Sequence, residues 1–113
     1  MRTDHDKLVR EGIPRMLTEA GVEFGWRRAR PDEIDALLME KLREEVEELA
    51  AAGPPESHLD ELADVYEVLT AIAARRGMTA EMLETARANK ARRRGGFEAG
   101  TVLEWTEDPT AES

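Results

Sequence analysis

The fold is decided by residues 34–73, which read IDALLMEKLREEVEELAAAGPPESHLDELADVYEVLTAIA. Apolar residues recur every three or four positions on both sides of the Gly53-Pro54-Pro55 break. This spacing places them on one face of an α-helix, whereas a strand would alternate them at every second position. The pattern predicts two helices, one from just after Pro31 to the break and one from an N-cap at Ser57 to a stop at Gly77. Because the break is short, we expect an antiparallel helical hairpin.

Two shorter helices are expected on either side of this hairpin. Pro14 suits the first turn of a helix whose apolar spacing ends at Gly21. Thr79 is suited to cap another helix, which would run to the Gly95-Gly96 stop. The segment 22–30 lacks helical periodicity and predicts either an extended connector or a short strand.

The composition agrees with an all-α protein. Hydrophobic residues make up 41% of the chain but aromatic residues only 4%, so the core must be built from aliphatic side chains, which favours packed helices. We therefore predict a bundle of about four helices in a single domain over residues 1–106. The apolar residues between Phe97 and Trp105 are expected to form an extended tail that packs back on the helices. Residues 107–113 are expected to be disordered.

Charge and cysteine content exclude several classes of function. The formal net charge of −9 argues against binding to the backbone of DNA or RNA, which requires a broad basic surface. No apolar run approaches the roughly 20 residues of a membrane span, and the start, MRTDHDKLVR, lacks a signal-peptide core, so a cytoplasmic location is expected. Without cysteine, a metal must be held by oxygen or imidazole ligands, which favours a hard cation such as Mg²⁺.

Two carboxylate pairs carry the chemistry. Glu45-x-x-Glu48 and Glu61-x-x-Asp64 each place two carboxylates three positions apart, and therefore on one side of a helix. If the two helices are antiparallel, the pairs can converge into one cage of acidic oxygens, as hard divalent cations require. Helical bundles build metal sites in this way from facing helices.

A helical wheel distinguishes these pairs from chance ones. With 25 acidic residues, like pairs are common, and Glu44 and Glu47 form one of them. At about 100° per residue, Glu45 and Glu61 fall inside the apolar arcs of their helices. Glu44 and Glu47 project away from theirs. Burying an unpaired carboxylate costs several kcal/mol or more, so a cation, an ion pair or a proton must compensate it. On the residues alone, a metal site and structural ion pairing are both open.

The order of motifs resembles that of a known superfamily. The runs KLREEVEEL (Lys41 to Leu49) and DELADVYEVL (Asp60 to Leu69) resemble the E-x-x-E and E-x-x-D signature of the all-α nucleotide pyrophosphatases. That superfamily includes MazG, the dimeric dUTPases and phosphoribosyl-ATP pyrophosphohydrolase. The KLVR run (Lys7 to Arg10) and KARRRGGFE (Lys90 to Glu98) are similar, more narrowly, to the short MazG-like house-cleaning pyrophosphatases.

The resemblance implies a helical fold that associates as dimers or higher oligomers, with subunits completing each other's sites. It also implies Mg²⁺-dependent hydrolysis of a nucleoside triphosphate between the α- and β-phosphates, with Mn²⁺ as a possible substitute. The implied metal ligands are Glu45, Glu48, Glu61 and Asp64. Glu48 and Asp64 lie at the edges of the apolar arcs, where solvent or substrate can reach them, so they are also the candidates for positioning the attacking water.

The same resemblance suggests how the triphosphate would be bound. The candidate phosphate contacts are Lys7, Arg10, Lys90 and Arg94. The last two have a competing interpretation, because cations near the C-terminus of a helix are stabilised by its dipole without any ligand. Two other functions are weighed against the leading one: phosphoribosyl-ATP hydrolysis, and a catalytically silent helical module that binds nucleotide or protein and keeps its carboxylates as ion pairs.

Overall fold

The structure, a computed structural model, describes residues 1–109 and is all-α. That part of the chain contains no strand, and its four helices are α1 (Ile13–Glu19), α2 (Ile34–Ala51), α3 (Pro55–Arg75) and α4 (Ala80–Arg94). The predicted fold class and number of helices are therefore confirmed. The disordered tip predicted for residues 107–113 lies, from residue 110 onward, outside the described residues.

The packing of α2 against α3 forms the core. Its buried apolar side chains are Leu38, Val68 and Ala73. Polar contacts join the ends of the two helices. The guanidinium of Arg75, the last residue of α3, donates to Asp35 Oδ1 at 3.1 Å, near the start of α2. At the opposite ends, His58 Nε2 lies 3.4 Å from the carbonyl oxygen of Ala52.

The starts of α3 and α4 test the two predicted N-caps. The Ser57 N-cap is wrong: α3 begins at Pro55, after an extended Pro54, and the Ser57 hydroxyl donates to the Pro54 carbonyl at 2.8 Å. Proline suits a first helical turn because its φ is already helical and its missing N–H would have no partner there. The Thr79 cap is confirmed, since Met82 N–H donates to Thr79 Oγ1 at 3.0 Å.

The segment 22–30 is a connector that contains no strand. Its end is held to the start of α2 by Glu33, which accepts hydrogen bonds from the Arg27 guanidinium at 2.7 and 3.2 Å and from Arg30 N–H at 2.7 Å. The Arg27 guanidinium, and then the Arg30 N–H, lower the pKa of Glu33 to about 2. These contacts provide an ordered entry into α2 without strand pairing.

The chain divides into two compact units, Met1–Leu83 and Glu84–Ser113, and α4 passes through the division. The prediction of one domain over residues 1–106 stays a prediction. In the second unit, Phe97 is 99% exposed and Trp105 is 75% exposed. The expectation that the tail packs back on the helices stays a prediction. None of the helices described in residues 1–109 is both long and apolar enough to cross a membrane.

Candidate metal centre

Three of the four predicted metal ligands come together between α2 and α3. Glu45, Glu61 and Asp64 each offer a carboxylate oxygen, and these oxygens lie within 4.8 Å of one another. Glu45 belongs to α2 and the other two belong to α3, so it is the packing of the two helices that assembles the group. The i, i+3 spacing within α3 supplies two of its members from one side of that helix.

The fourth predicted ligand, Glu48, belongs to a second group that overlaps the first. Glu44, Glu45 and Glu48 also offer oxygens within 4.8 Å of one another, so Glu45 is shared by both groups. By the helical wheel Glu44 projects away from the apolar arc of α2, and its lysine contacts do not test that prediction. Its side chain is only 29% exposed, because Lys7 and Lys41 both lie against it. The sequence offers one local signal of these contacts, a lysine three positions before Glu44.

Burial makes Glu45 the central residue of both groups. The residue is 5% exposed, which confirms the helical-wheel prediction that it lies on the apolar side of α2. Its Oε1 forms an ion pair with Lys41 Nζ at 3.1 Å, whereas its Oε2 is buried without a hydrogen-bond partner. Oε2 of Glu61 is buried and unpartnered in the same way. Two buried acceptors on facing helices therefore lack the donor or cation that such groups ordinarily require.

The electrostatics of the cluster differ between its two outer glutamates. The neighbouring Glu45 carboxylate, to which a protonated Glu48 can donate, raises the pKa of Glu48, and desolvation and the charges of Glu44 and Glu61 act in the same direction. The ion pair with Lys7 lowers the pKa of Glu44, with a further contribution from Lys41. Lysines thus compensate the charge of Glu44, whereas neighbouring carboxylates disfavour the charge of Glu48.

Lys7 and Arg10 lie on the carboxylate cluster. Lys7 Nζ donates to Glu44 Oε1 at 2.7 Å, and Arg10 Nη2 donates to Asp64 Oδ1 at 2.7 Å. The hydrogen bond to Glu44 raises the pKa of Lys7. Both residues were predicted to contact phosphate, and the structure brings them to the candidate metal ligands themselves. Sequence position indicated that they belong near the site but could not indicate which charges they meet.

The other two predicted phosphate contacts, Lys90 and Arg94, lie on α4 in the second compact unit, and both are exposed. Arg94 is the last residue of α4, and its final turn also contains Arg92 and Arg93. Cations at this end of a helix are stabilised by the helix dipole. The position of Arg94 therefore agrees with both interpretations of the basic segment.

The donor set fits a hard divalent cation. Carboxylate oxygens are the ligands that Mg²⁺ and Ca²⁺ prefer, and the two unpartnered oxygens of Glu45 and Glu61 are acceptors that a cation could satisfy. The ion pairs of Lys7, Arg10 and Lys41 show that structural compensation is also built into the cluster. Both interpretations drawn from the sequence therefore have a counterpart in the geometry. No protein-family model, curated protein or solved structure matches this chain.

Proposed function

We propose that this protein is a MazG-like, Mg²⁺-dependent pyrophosphohydrolase that cleaves a nucleoside triphosphate between its α- and β-phosphates and releases the nucleoside monophosphate and pyrophosphate. The observation that carries the proposal is the buried Glu45, which is shared by two carboxylate groups and has one oxygen without a partner. A buried carboxylate of this kind requires compensation, and a divalent cation would provide it. The order of the sequence motifs supports the same function.

In this proposal, all four carboxylates hold the cation, and the more accessible ones are also available to act on water. Glu45 and Glu61 contribute their buried oxygens, and Asp64 and Glu48 complete the set from the more accessible side. When bound, Mg²⁺ neutralises phosphate oxygens and lowers the pKa of water. Glu48 is exposed, so a carboxylate oxygen of this residue can orient the attacking water and accept its proton. The water oxygen bonds to the α-phosphorus, the bond to the bridging oxygen breaks, and pyrophosphate leaves with the electron pair.

Lys90 and Arg94 are proposed to meet the negative charge of the triphosphate. An arginine fork suits phosphate oxygens, and lysine acts as a point charge. Alanine at either position is expected to raise KM for nucleotide about tenfold with little change in kcat, as loss of a charge-assisted hydrogen bond would. A fall in kcat at unchanged KM would contradict this role.

We further propose that α2 and α3 form the antiparallel hairpin of this fold and that a second copy of the chain completes it. The contacts of Arg75 with Asp35 and of His58 with Ala52 support the antiparallel direction, since each joins the end of one helix to the start of the other. The need for a second copy is supported by burial. No side chain among residues 1–109 is fully buried, and α3 exposes a row of apolar side chains at helical spacing: Leu59, Leu62, Tyr66 and Leu69.

The experiment that tests the function offers purified protein and Mg²⁺ a panel of canonical and damaged nucleoside triphosphates, together with phosphoribosyl-ATP. Products are separated and assayed for monophosphate and pyrophosphate. We expect turnover of at least one member and a loss of at least 100-fold in Asp64→Asn. Glu47→Gln is the matched control, because Glu47 lies on α2 but outside both carboxylate groups. Absence of turnover, or full activity in Asp64→Asn, would reject the proposal.

A silent binding module is the second candidate, and specific observations favour it. The ion pairs Lys7–Glu44, Arg10–Asp64 and Lys41–Glu45 are the structural compensation that such a module would use. Calorimetry distinguishes the two functions. Binding of Mg²⁺ or Mn²⁺, with thermal stabilisation that grows with metal concentration, supports the enzyme. No heat of binding, with or without nucleotide, supports the silent module.

A further inference from the structure

The segment Lys7-Leu8-Val9-Arg10, which we name the cationic strap, bridges the two helices that carry the carboxylates. Its first residue contacts Glu44 on α2 and its last contacts Asp64 on α3, each at 2.7 Å. Three residue steps of extended chain reach at most about 11 Å, so these two anchors hold the strap close against the cluster. The strap is therefore part of the candidate metal centre and not merely adjacent to it.

Each anchor engages a different carboxylate group. Glu44 belongs to the group with Glu45 and Glu48, whereas Asp64 belongs to the group with Glu45 and Glu61. The shared residue, Glu45, forms its ion pair with Lys41 and acts on Lys7 of the strap only through its charge. A divalent cation drawn to the unpartnered oxygens of Glu45 and Glu61 would complete its coordination with Asp64. It would then compete directly with the Arg10 guanidinium. A cation held by the other group, which contains Glu44, would compete with Lys7 in the same way.

The two ion pairs of the strap are accessible to water, so a bound cation can replace them. The side chains in the Lys7–Glu44 pair are 40% and 29% exposed, and those in the Arg10–Asp64 pair are 54% and 38% exposed. Ion pairs with this access to water contribute little to stability, so their loss is readily offset by metal coordination. The strap lies outside any helix and follows Asp6, which has a φ of 51°. That left-handed conformation is uncommon for a residue other than glycine, and it marks a turn at which the chain enters the strap.

We propose that the cationic strap is a displaceable counter-ion of the metal centre. It neutralises the outer carboxylates when no divalent cation is bound, and it releases Glu44 and Asp64 when one binds. The released Lys7 and Arg10 then become available to an anionic ligand such as a phosphate. This inference rests on the proposed function, because it requires that the carboxylates bind a divalent cation, and it adds a built-in competitor that sets the metal affinity.

The first test measures Mn²⁺ binding by calorimetry on the full chain and on Lys7→Gln/Arg10→Gln. Removing both competitors is expected to tighten Mn²⁺ binding about three- to tenfold, the range for loss of two weak surface pairs. Arg15→Gln is the matched control. It also removes one positive charge, but Arg15 pairs with Glu19 within α1, away from the carboxylates. Arg15→Gln should bind Mn²⁺ as the unmodified chain does.

The second test follows release of the strap without any activity assay. The chain contains three lysines, Lys7, Lys41 and Lys90, and limited acetylation followed by peptide mass spectrometry reports the reactivity of each amine. Lys7 should be acetylated several-fold faster with saturating Mn²⁺ than with EDTA, because the loss of its carboxylate partner frees the amine. Lys90, on α4, serves as the internal reference and should be unchanged.

The outcomes separate this inference from the proposed function. Equal or weaker Mn²⁺ binding by the double variant, or unchanged acetylation of Lys7 in a chain that does bind Mn²⁺, would overturn the strap and leave the metal centre intact. Failure of both proteins to bind Mn²⁺ up to about 1 mM would overturn the metal centre and the strap together. If only the double variant binds Mn²⁺, the cationic strap is a strong competitor of the metal, which supports the inference. Should the double variant fail to fold by circular dichroism, the same comparison is made with Arg10→Gln.

Discussion

Lys41 Nζ lies 3.1 Å from Oε1 of Glu45, and no partner meets Oε2 of the same carboxylate among the described residues. Both residues belong to α2, one turn apart, so this pair is formed by the helix itself. On α3, Glu61 and Asp64 each bring a carboxylate oxygen within 4.8 Å of a Glu45 oxygen. Three cations therefore face five carboxylates at this site, so negative charge is in excess: the cations are Lys7, Arg10 and Lys41.

Glu45→Gln is expected to lower Mn²⁺ affinity at least tenfold, because an amide supplies no charge and only one oxygen at the position shared by both groups. In EDTA the variant should unfold at the same temperature as the unmodified chain or a higher one, because the repulsion from neighbouring carboxylates is reduced. Calorimetry and thermal melts measure the two effects. Glu47→Gln, an exposed change on the same helix, is the control, and unchanged Mn²⁺ affinity in Glu45→Gln would exclude the site.

Glu48→Gln is expected to stabilise the protein at neutral pH in EDTA. The adjacent Glu45, together with desolvation and other carboxylates, raises the pKa of Glu48. When the pKa of a carboxyl is higher in the folded than in the unfolded state, the free energy of unfolding falls as pH rises from the unfolded-state pKa to the folded-state pKa. Above the folded-state pKa the full loss of stability remains. The variant should therefore melt about 1–4 °C higher at pH 7.5, as expected from relief of like-charge repulsion, and this difference should shrink toward pH 4.

The control for this experiment is the same pair of melts in saturating Mg²⁺. A bound cation should stabilise the unmodified chain more than Glu48→Gln, so the difference between them should narrow or reverse. A variant that is less stable than the unmodified chain in EDTA would show that Glu48 contributes a favourable contact at neutral pH and would contradict the expected repulsion.

The features predictable from the sequence were those set by local periodicity. The apolar spacing in α2 and α3 predicted both helices, and the wheel predicted that Glu45 is buried, because both depend only on neighbouring turns. The partial burial of Glu44 was not predicted because it depends on Lys7, 37 positions away in the sequence. The contact of Arg10 with Asp64 likewise joins residues 54 positions apart. No helical wheel contains contacts of this kind.

The start of α3 and the exposure of the tail were less predictable, because they also depend on more than local periodicity. Ser57 has the side chain of an N-cap, but the preceding prolines start α3 earlier, because their fixed φ already satisfies the first turn. Phe97 and Trp105 are apolar, and hydropathy alone predicted that they are covered, yet both are exposed. Hydropathy indicates that a side chain favours burial, but the surface that covers it must be supplied by the rest of the fold.

Glu33→Gln is expected to destabilise the protein at neutral pH, with an effect that disappears in acid. The Arg27 guanidinium and the Arg30 N–H lower the pKa of Glu33 to about 2. A carboxyl with a lowered folded pKa contributes stability above its unfolded pKa, and this contribution is lost as pH falls from about 4.5 toward 2. The unmodified chain should therefore melt a few degrees above the variant at pH 6, and the two curves should converge near pH 2. Glu23→Gln, an exposed change in the same connector, should show no such convergence.

Leu62→Asp is expected to disrupt self-association. Leu62 is 51% exposed and belongs to the apolar row on α3 with Leu59, Tyr66 and Leu69. An apolar row at this spacing is typical of a helix face that packs against another helix, and the proposed second copy would cover it. Sedimentation velocity should show the unmodified chain as a dimer or larger and the variant shifted toward monomer. The variant should also have a lower melting temperature, because the core of one copy is small.

Ala63→Asp introduces the same charge at an exposed position outside the row and should leave the oligomer intact. If Leu62→Asp does not fold, Leu62→Ala should still weaken association about tenfold or more, as truncation of a buried interface leucine does. If the unmodified chain sediments as a monomer at all concentrations, a second copy does not cover the apolar row on α3.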